Sequence, residues 1–315
     1  MKNSCQTAAW IILLCVLVWQ QSLAAALIAG IVLTLLIGPP FPALSRQITK
    51  PLFQTCVALL GFGMDFEKVV KAGVNGALFA ALSITATVLL GFWLGKWMRI
   101  GRKTSALIGS GTAICGGSAI AAVGPVIAAT QTEMALAIGA VFLLNAVALV
   151  VFPLLGSALE LTQHQFGLWA GIAIHDISSV VGAASVYGNE ALQTATAVKL
   201  SRTLWIVPLT LAMSLLARRW HGEAEGAGKA KIAIPWFIGF FLLASLARHF
   251  FPWIAEHTPR IDMGVKAGMT VALCLIGAGV SPEALRQMGW KVAVQAVLLW
   301  IFISITALAL ARFGN

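Results

Sequence analysis

Eleven apolar segments follow one another along the chain, and no other feature limits its fold so strongly. They cover residues 6–19, 23–37, 48–64, 74–97, 104–128, 133–153, 166–187, 192–217, 235–251, 264–280 and 289–312. A helix needs about 20 apolar residues to cross the hydrocarbon core of a bilayer. Charged residues make up only 10% of the 315 residues, whereas soluble domains average about 25%. We therefore predict an integral membrane protein that crosses the bilayer many times.

The expected fold class is all-α. A backbone inside lipid must satisfy its own hydrogen bonds, and the alternating ten-residue segments that build a β-barrel are absent. The first two apolar segments are short and separated by Gln20, Gln21 and Ser22, so they form either a hairpin or one long tilted helix. We predict about 11 transmembrane helices, or about 10 if the first two merge, in one integral-membrane domain over residues 1–315.

Basic residues lie mainly between the apolar segments. With eleven spans and the N-terminus inside, thirteen of the 21 lysines and arginines lie on the inner side and six on the outer side. The positive-inside rule favours this orientation, with the C-terminus outside and the protein in the inner (plasma) membrane of the cell. The net charge of +10 is therefore explained by membrane topology, and we expect no nucleic-acid partner.

An internal repeat supports a division into two halves at a polar inner loop, residues 218–234. Shifting the chain by 216 residues places LLGFGMDFEKVVKAG over LIGAGVSPEALRQMG, with Glu67 over Glu283. The repeat-related segments are 48–97 and 264–313. On the predicted span count the two copies run through the membrane in opposite directions, and inverted repeats are typical of transporters.

A second internal similarity links GTAICGGSAIAAVGP (111–125) to GIAIHDISSVVGAAS (171–185), at a shift of 60 residues. Both segments are rich in glycine, which weakens a helix interior. On the predicted span count the two segments run in the same direction, so they do not form a simple inverted pair. Either one of them is re-entrant or the similarity is convergent, and the sequence leaves both explanations open.

The ICGGS stretch is the first candidate for a binding site. Gly116 and Gly117 permit a non-helical backbone, and Ser118 is suited to cap a restarting helix. A helix broken here would direct free N–H groups and the positive end of its dipole at an anion. The alternative is close helix packing, since Gly109, Ala113 and Gly117 have the spacing that lets membrane helices approach each other.

The IHDISS stretch places two ionisable residues, His175 and Asp176, about ten residues into an apolar span. Such residues are costly in a membrane and normally face a cavity or a partner. Histidine titrates near neutral pH, so His175 is a candidate for a coupling proton. The structural alternative is that Asp176 accepts hydrogen bonds from a neighbouring helix. A hydrolytic dyad is disfavoured because adjacent residues on a helix point about 100° apart.

The KLSR stretch holds Lys199 and Arg202, which share one face of their helix. Arg202 stands roughly 15 Å into its span, so it needs a carboxylate, backbone carbonyls or an anionic substrate. We expect Asp176 to be its protein partner, which leaves Lys199 for the substrate. The alternative for Lys199 is that it extends to the outer surface of the membrane.

Other polar residues in the apolar segments suggest less. Asn145 and Gln295 favour hydrogen bonds between helices over a role in lining a path. The five cysteines are scattered and form no CxxC pair, so neither a metal site nor a disulfide framework is predicted. We expect no cofactor.

The stretches LLGFGMDF, GSGTAICGGSAIAAVGPVIAA, FGLWAGIAIHDISSVVGAA and AVKLSRTLWIVP together resemble the YeiH-type family of proposed sulfate exporters, over about residues 25–310. That family is distantly similar to the bile acid/sodium symporters. This resemblance implies inverted five-helix repeats, a panel and a core domain, and two broken helices that cross at the substrate site. The substrate-binding residues that it implies are Cys115, Gly116, Gly117, Ser118, Ser178, Ser179, Lys199 and Arg202. His175 and Asp176 match the other polar motif of that family, and we predict that they act in coupling or gating.

The function predicted from these features is secondary active transport of a small inorganic or organic anion, with sulfate export as the first candidate. The predicted mechanism is alternating access around broken helices near the bilayer midplane. No Walker A pattern is present, so an ion gradient or the substrate gradient supplies the energy. The alternatives are an anion channel, or a transporter of an organic acid or sulfonate coupled to sodium or protons. An enzyme is not expected. The expected partners are the anion, a coupling proton or sodium ion and the lipid bilayer, and a homo-oligomer is left open.

Overall fold

The structure is a computed structural model that describes residues 2–20, 23–38, 42–64, 66–221, 236–278 and 289–314. Within these ranges the chain is almost entirely helical and contains no strand, which confirms the all-α prediction there. Most of the predicted inner loop lies outside the described residues. So does Glu283 of the predicted repeat, and the inverted repeat stays a prediction.

The helices follow the predicted apolar segments. They are α1 Lys2–Gln20, α2 Leu23–Ile37, α3 Pro42–Leu60, α4 Phe66–Trp97, α5 Arg102–Ala113, α6 Gly117–Val126, α7 Gln131–Ala158, α8 Gln163–Ala173, α9 Ile177–Tyr187, α10 Asn189–Thr203, α11 Ile206–His221, α12 Trp236–Phe250, α13 Pro252–Ala278 and α14 Trp290–Phe313. A 3₁₀ turn, Gly61–Gly63, follows α3.

Four stretches of the described chain are long and apolar enough to cross a membrane: Gly76–Trp97, Gln131–Ala158, Asn189–Ala217 and Trp290–Phe313. On α4 the side chains of Leu78, Leu82, Leu89 and Trp93 are between 61% and 72% exposed. A continuous apolar face of this kind is unfavourable in water and is normal against lipid tails. The prediction of a membrane protein is therefore confirmed, whereas the count of eleven spans stays a prediction.

The chain forms two compact units, each assembled from two separate stretches. The first unit comprises Met1–Val70 and Pro235–Ser281, and the second comprises Lys71–Ile234 and Pro282–Asn315. One of these boundaries falls at the end of the predicted inner loop. All the candidate site residues belong to the second unit.

In the first unit α2 lies directly against α13. A Cβ atom added to Gly30 would lie 2.1 Å from the carbonyl oxygen of Cys274, so only glycine permits this approach. The 3₁₀ turn after α3 is bonded to α12, because Arg248 donates to the carbonyl of Gly63 at 2.7 Å and Ser245 donates to that of Met64 at 3.1 Å. These bonds satisfy carbonyl groups at the end of the 3₁₀ turn that would otherwise be free.

In the second unit the core surrounds the middle of α5 and α6. Leu107, Ile108, Ile114, Ile120 and Val141 are all fully buried there. Helix α7 packs against α5, α6 and α9, and α10 packs against α8 and α9. The polar residues predicted for the site therefore come from segments that are held by a tightly packed apolar core.

Candidate functional site

Two helical segments of the second unit are interrupted at equivalent positions. Helix α5 ends at Ala113 and α6 begins at Gly117, while α8 ends at Ala173 and α9 begins at Ile177. Both the ends and the restarts are sixty residues apart, which is the shift that aligned the two sequence segments. The structure thus gives the segment 111–125 its counterpart, and both segments are broken helices.

Gly116 makes the first break. Its backbone has φ 64° and ψ −121°, a left-handed conformation that favours glycine. A Cβ atom added here would also lie 2.8 Å from Cγ1 of Val141 and 3.3 Å from Cβ of His175. The backbone conformation and the close contacts both require glycine at this position. Because one of these contacts is with His175, the two breaks are neighbours.

The neighbouring small residues have different roles. A Cβ atom added to Gly117 would meet only Cζ of Phe142, at 3.7 Å, which is an ordinary contact. Gly109 lies against Val88 and Gly91 of α4, so the close-packing explanation holds for this part of α5. The prediction that Ser118 caps α6 is wrong. Gly116 is the N-cap residue, no side chain caps this helix, and Ser118 is exposed within the first turn.

Side chains fill the second break. Asp176 is the N-cap residue of α9, and its carboxylate accepts hydrogen bonds from the Ser178 backbone N–H at 3.1 Å and from the Ser178 hydroxyl. Asn145 of α7 accepts the backbone N–H groups of His175 at 3.1 Å and of Asp176 at 3.3 Å through Oδ1. This confirms the predicted interhelical role of Asn145. The positive end of α9 already has a bound carboxylate, which belongs to the protein itself.

Lys199 and Arg202 bind the carbonyl end of α5. Nζ of Lys199 donates to the carbonyl of Ile114 at 3.1 Å, and Nη2 of Arg202 donates to that of Ala113. Nη1 of Arg202 donates to Oγ of Ser83 at 3.0 Å. The end of a helix carries exposed carbonyls and a partial negative charge, so two cations stabilise it.

The expected partner of Arg202 is wrong, and the alternative position of Lys199 is excluded. Arg202 does not pair with Asp176, because the carboxylate is taken up by the N-terminus of α9 and the guanidinium by carbonyl and hydroxyl oxygens. Lys199 does not reach the membrane surface, because its side chain is 0% exposed. Within the described residues, neither cation has an ion pair to a carboxylate.

Several buried polar atoms beside the breaks have no hydrogen-bond partner among the described residues. They include Nδ1 and Nε2 of His175, Nδ2 of Asn145 and Nε of Arg202. The imidazole of His175 is 1% exposed and faces the carbonyl of Val141 without a hydrogen bond of normal geometry. Buried polar groups are almost always bonded, so these atoms are candidates for contact with a ligand or water.

The remaining predicted site residues lie close to the two breaks. Cys115 is buried in the first break, near Thr203 and the backbone N–H of Ala119. Ser178 and Ser179 are buried in the first turn of α9. Gln295 donates to the Gly91 carbonyl at 2.7 Å, as expected of a residue that joins helices.

Ser83 is the residue that sequence reasoning missed. It lies in α4, far along the chain from Arg202, and a single serine in an apolar helix gives no signal of such a contact. In the part of the chain that the structure describes, no group of three His, Cys, Asp or Glu side chains could hold a metal ion.

Comparison with known proteins identifies relatives along nearly the whole chain. The family model described as "Conserved hypothetical protein 698" matches residues 4–296. The chain is 44% identical to a UPF0324 membrane protein of Bacteroides thetaiotaomicron over 293 residues, which is 91% of this chain and 86% of that protein. It is 46% identical to one of Bdellovibrio bacteriovorus over 306 residues, 96% of this chain and 92% of that protein. No solved structure matches the chain significantly.

Proposed function

The chain belongs to the family described as conserved hypothetical protein 698, the YeiH-type UPF0324 membrane proteins, and on that premise we propose that it is a secondary transporter of a small anion. The observation that carries this proposal is the N-terminus of α6. It begins in the apolar core of the second unit, no side chain caps it, and buried polar atoms without partners lie beside it.

The backbone at this helix start has hydrogen bonds to offer. The N–H groups of Gly117 and Ser118 have no partner among the described residues, and the N–H of Ala119 faces the thiol of Cys115. Free N–H groups and the positive end of the helix dipole favour an anion. Gly117 is half-buried and Ser118 is exposed, so a solute can reach this helix start.

His175 provides an independent indication of a ligand. Its Cβ atom lies 3.3 Å from the Cβ position of Gly116, the residue that immediately precedes α6. The ring nitrogen that does not face the Val141 carbonyl is buried and has no partner among the described residues, so it is free to contact a ligand. Lys199 and Arg202 hold the carbonyl end of α5 across the same break and add positive charge around the anion.

Alternating access around the two breaks is the proposed mechanism, with coupling or gating by His175 and Asp176. Secondary transporters commonly bind substrates near the bilayer midplane at the ends of discontinuous helices. The resemblance to sulfate exporters makes sulfate one substrate to test. A sulfonate or an organic acid is the other candidate, and either one fits a site made of N–H donors.

Uptake by proteoliposomes tests this proposal. Labelled sulfate and labelled methanesulfonate are supplied to the wild type, with and without a pH gradient, beside Gly117→Leu and Lys199→Ala. Gly139→Leu is the matched glycine control, because a Cβ atom added to Gly139 in α7 meets no atom within 4 Å. Lys96→Ala is the lysine control, because Lys96 is exposed. We expect saturable uptake of at least one anion that both site variants lose and both controls keep.

Three results would contradict the proposal in different ways. Flux that does not saturate would indicate a channel. Wild-type uptake rates in both site variants would show that the transported anion does not bind at the start of α6. A well-folded wild type that takes up neither anion, nor short carboxylates in the same liposomes, would remove anion transport itself.

A further inference from the structure

We infer that the site at the start of α6 is built for an anion with a single negative charge, of the carboxylate or sulfonate type, and not for a dianion such as sulfate. This inference rests on the proposed function and specifies its substrate class. Two separate features of the second unit support it: the equivalence of the two breaks and the balance of charges around them.

The two breaks differ at one decisive position. Residues 116 and 176 are equivalent, since each immediately precedes the helix that restarts. At the second break this residue is Asp176, whose carboxylate receives N–H groups from the first turn of α9. At the first break it is Gly116, which has no side chain. An open place thus exists at α6 where α9 holds a carboxylate.

A carboxylate or sulfonate group on a small solute would complete α6 as Asp176 completes α9. It would accept the free N–H groups of Gly117 and Ser118, because these occupy the first turn of α6 as Ile177 and Ser178 occupy that of α9. A carboxylate has the shape and charge of the Asp176 side-chain group, and a sulfonate carries the same single charge. The protein therefore contains its own example of the ligand that fits such a helix start.

The charges around the breaks lead to the same conclusion. Lys199 and Arg202 are the basic side chains of the cluster and Asp176 is its acidic side chain, while His175 and Cys115 are its other titratable groups. Among the described residues, these are the titratable and charged groups that act on one another at the site. With both basic groups protonated and the carboxylate ionised, the cluster carries one net positive charge. The helix ends at the breaks contribute partial charges of both signs.

A bound anion with one negative charge makes this buried cluster neutral. Placing net charge in a medium of low dielectric constant is costly, so a neutral loaded site has the lowest barrier to movement within a membrane. A dianion would leave one uncompensated negative charge beside Asp176. We therefore expect methanesulfonate to bind at least about tenfold more tightly than sulfate, because like charges brought together oppose binding strongly.

Affinity measurements on charge variants, all made at the same pH, test the inference. The affinities for methanesulfonate and sulfate are measured by calorimetry on purified protein in detergent. Asp176→Asn keeps a residue that caps helices and raises the net charge of the cluster by one. We expect the preference to shift toward sulfate by about tenfold or more.

Lys199→Gln lowers the net charge by one and is expected to weaken methanesulfonate binding. The double variant Asp176→Asn/Lys199→Gln returns the cluster to one net positive charge, so the preference for methanesulfonate should return. Glu160→Gln is the control, because this exposed carboxylate at the end of α7 should leave both affinities unchanged. Thermal melting checks the folding of each variant, and Asp176→Asn alone suffices if Lys199→Gln unfolds.

The two levels of the proposal fail in different ways. If wild-type protein binds sulfate as tightly as methanesulfonate, or if Asp176→Asn leaves the ratio of affinities unchanged, the inference is overturned while anion transport stands. If the folded wild type binds neither anion nor short carboxylates, the proposed function fails and the inference fails with it.

Discussion

Replacing Gly116 by alanine tests whether this residue sets the break between α5 and α6 through its backbone conformation. At φ 64° and ψ −121°, a residue with a side chain is strained by about 1–3 kcal/mol. The new Cβ atom would also lie 2.8 Å from Cγ1 of Val141, well inside the favourable carbon–carbon distance of about 3.5–4.0 Å. Overpacking of this kind costs about 1–3 kcal/mol more, so we expect Gly116→Ala to lower the free energy of unfolding by about 2–6 kcal/mol.

Gly117→Ala is the matched control, one residue further along. Its Cβ atom would meet Cζ of Phe142 at an ordinary distance of 3.7 Å, and Gly117 is the first residue of α6. Alanine is more favourable than glycine in a helix by up to about 1 kcal/mol. The two adjacent substitutions should therefore change stability in opposite directions, or Gly117→Ala should be neutral.

Thermal melting in detergent, followed by tryptophan fluorescence, measures the difference. A domain of this size loses about 2–4 °C in Tm for each kcal/mol, so Gly116→Ala should melt roughly 4–24 °C lower than the wild type. Adding Val141→Ala should recover the steric part of the loss and leave the backbone strain, which a double-mutant cycle separates. Equal melting temperatures for Gly116→Ala and Gly117→Ala would refute the argument from backbone conformation.

Three further substitutions examine other contacts of the second unit. Asn145→Leu removes the acceptor of two N–H groups in the second break and should lower the free energy of unfolding by about 2–5 kcal/mol, as followed by thermal melting. Asn145→Asp keeps the acceptor and should lower it less. Arg202→Lys keeps the charge but cannot bind the α5 carbonyl and the α4 hydroxyl together, so it should lower both Tm and uptake rate, and an unchanged rate would separate this contact from transport. Gly95→Ala should lower Tm, because its Cβ atom would lie 2.0 Å from Oγ of Ser105, whereas Gly139→Ala should not; equal effects would contradict the packing argument.

The sequence was sufficient to locate the first break and to indicate the second. Adjacent glycines in an apolar segment predict a weak point in a helix, and the match at a shift of 60 residues marks the place where α8 ends. These signals are local, because they depend on the conformational freedom of glycine and on residues next to each other in the chain. Such signals do not depend on how distant segments pack, so the positions of the breaks could be predicted from them.

The partners of the buried charges could not be predicted in the same way. The position of Arg202 along its helix gives its depth in the membrane but not the direction in which its side chain points. Its true partners are Ser83 and the Ala113 carbonyl, and the carbonyl is free only because α5 ends at that residue. The expected pair with Asp176 failed because that carboxylate caps α9, a role that exists only where the helix is interrupted.

The cap of α6 was predicted at the wrong residue for a related reason, because capping also depends on where the helix begins. A serine caps a helix only from the residue before its first turn, and a shift of two residues in the helix start is within the ordinary error of sequence-based boundaries. Ser118 therefore lies inside the turn, and Gly116 takes the capping position without a side chain. This small displacement has a large consequence, because it leaves the helix start open.

A broken helix inside an apolar core creates ends that must be stabilised, and the second unit stabilises them unequally. Two cations bind the carbonyl end of α5, and a carboxylate binds the N–H end of α9. The N–H end of α6 has no such group among the described residues. N–H groups without a partner cost free energy when they are shielded from water, so the start of α6, where Gly117 is half-buried and Ser118 is exposed, is suited to contact with water or an anion. On the proposed function, the empty site keeps water against these N–H groups, and a bound anion replaces that water when the site closes. Such a difference between the empty and loaded states would serve the proposed alternating access, and it would arise from the missing side chain at Gly116.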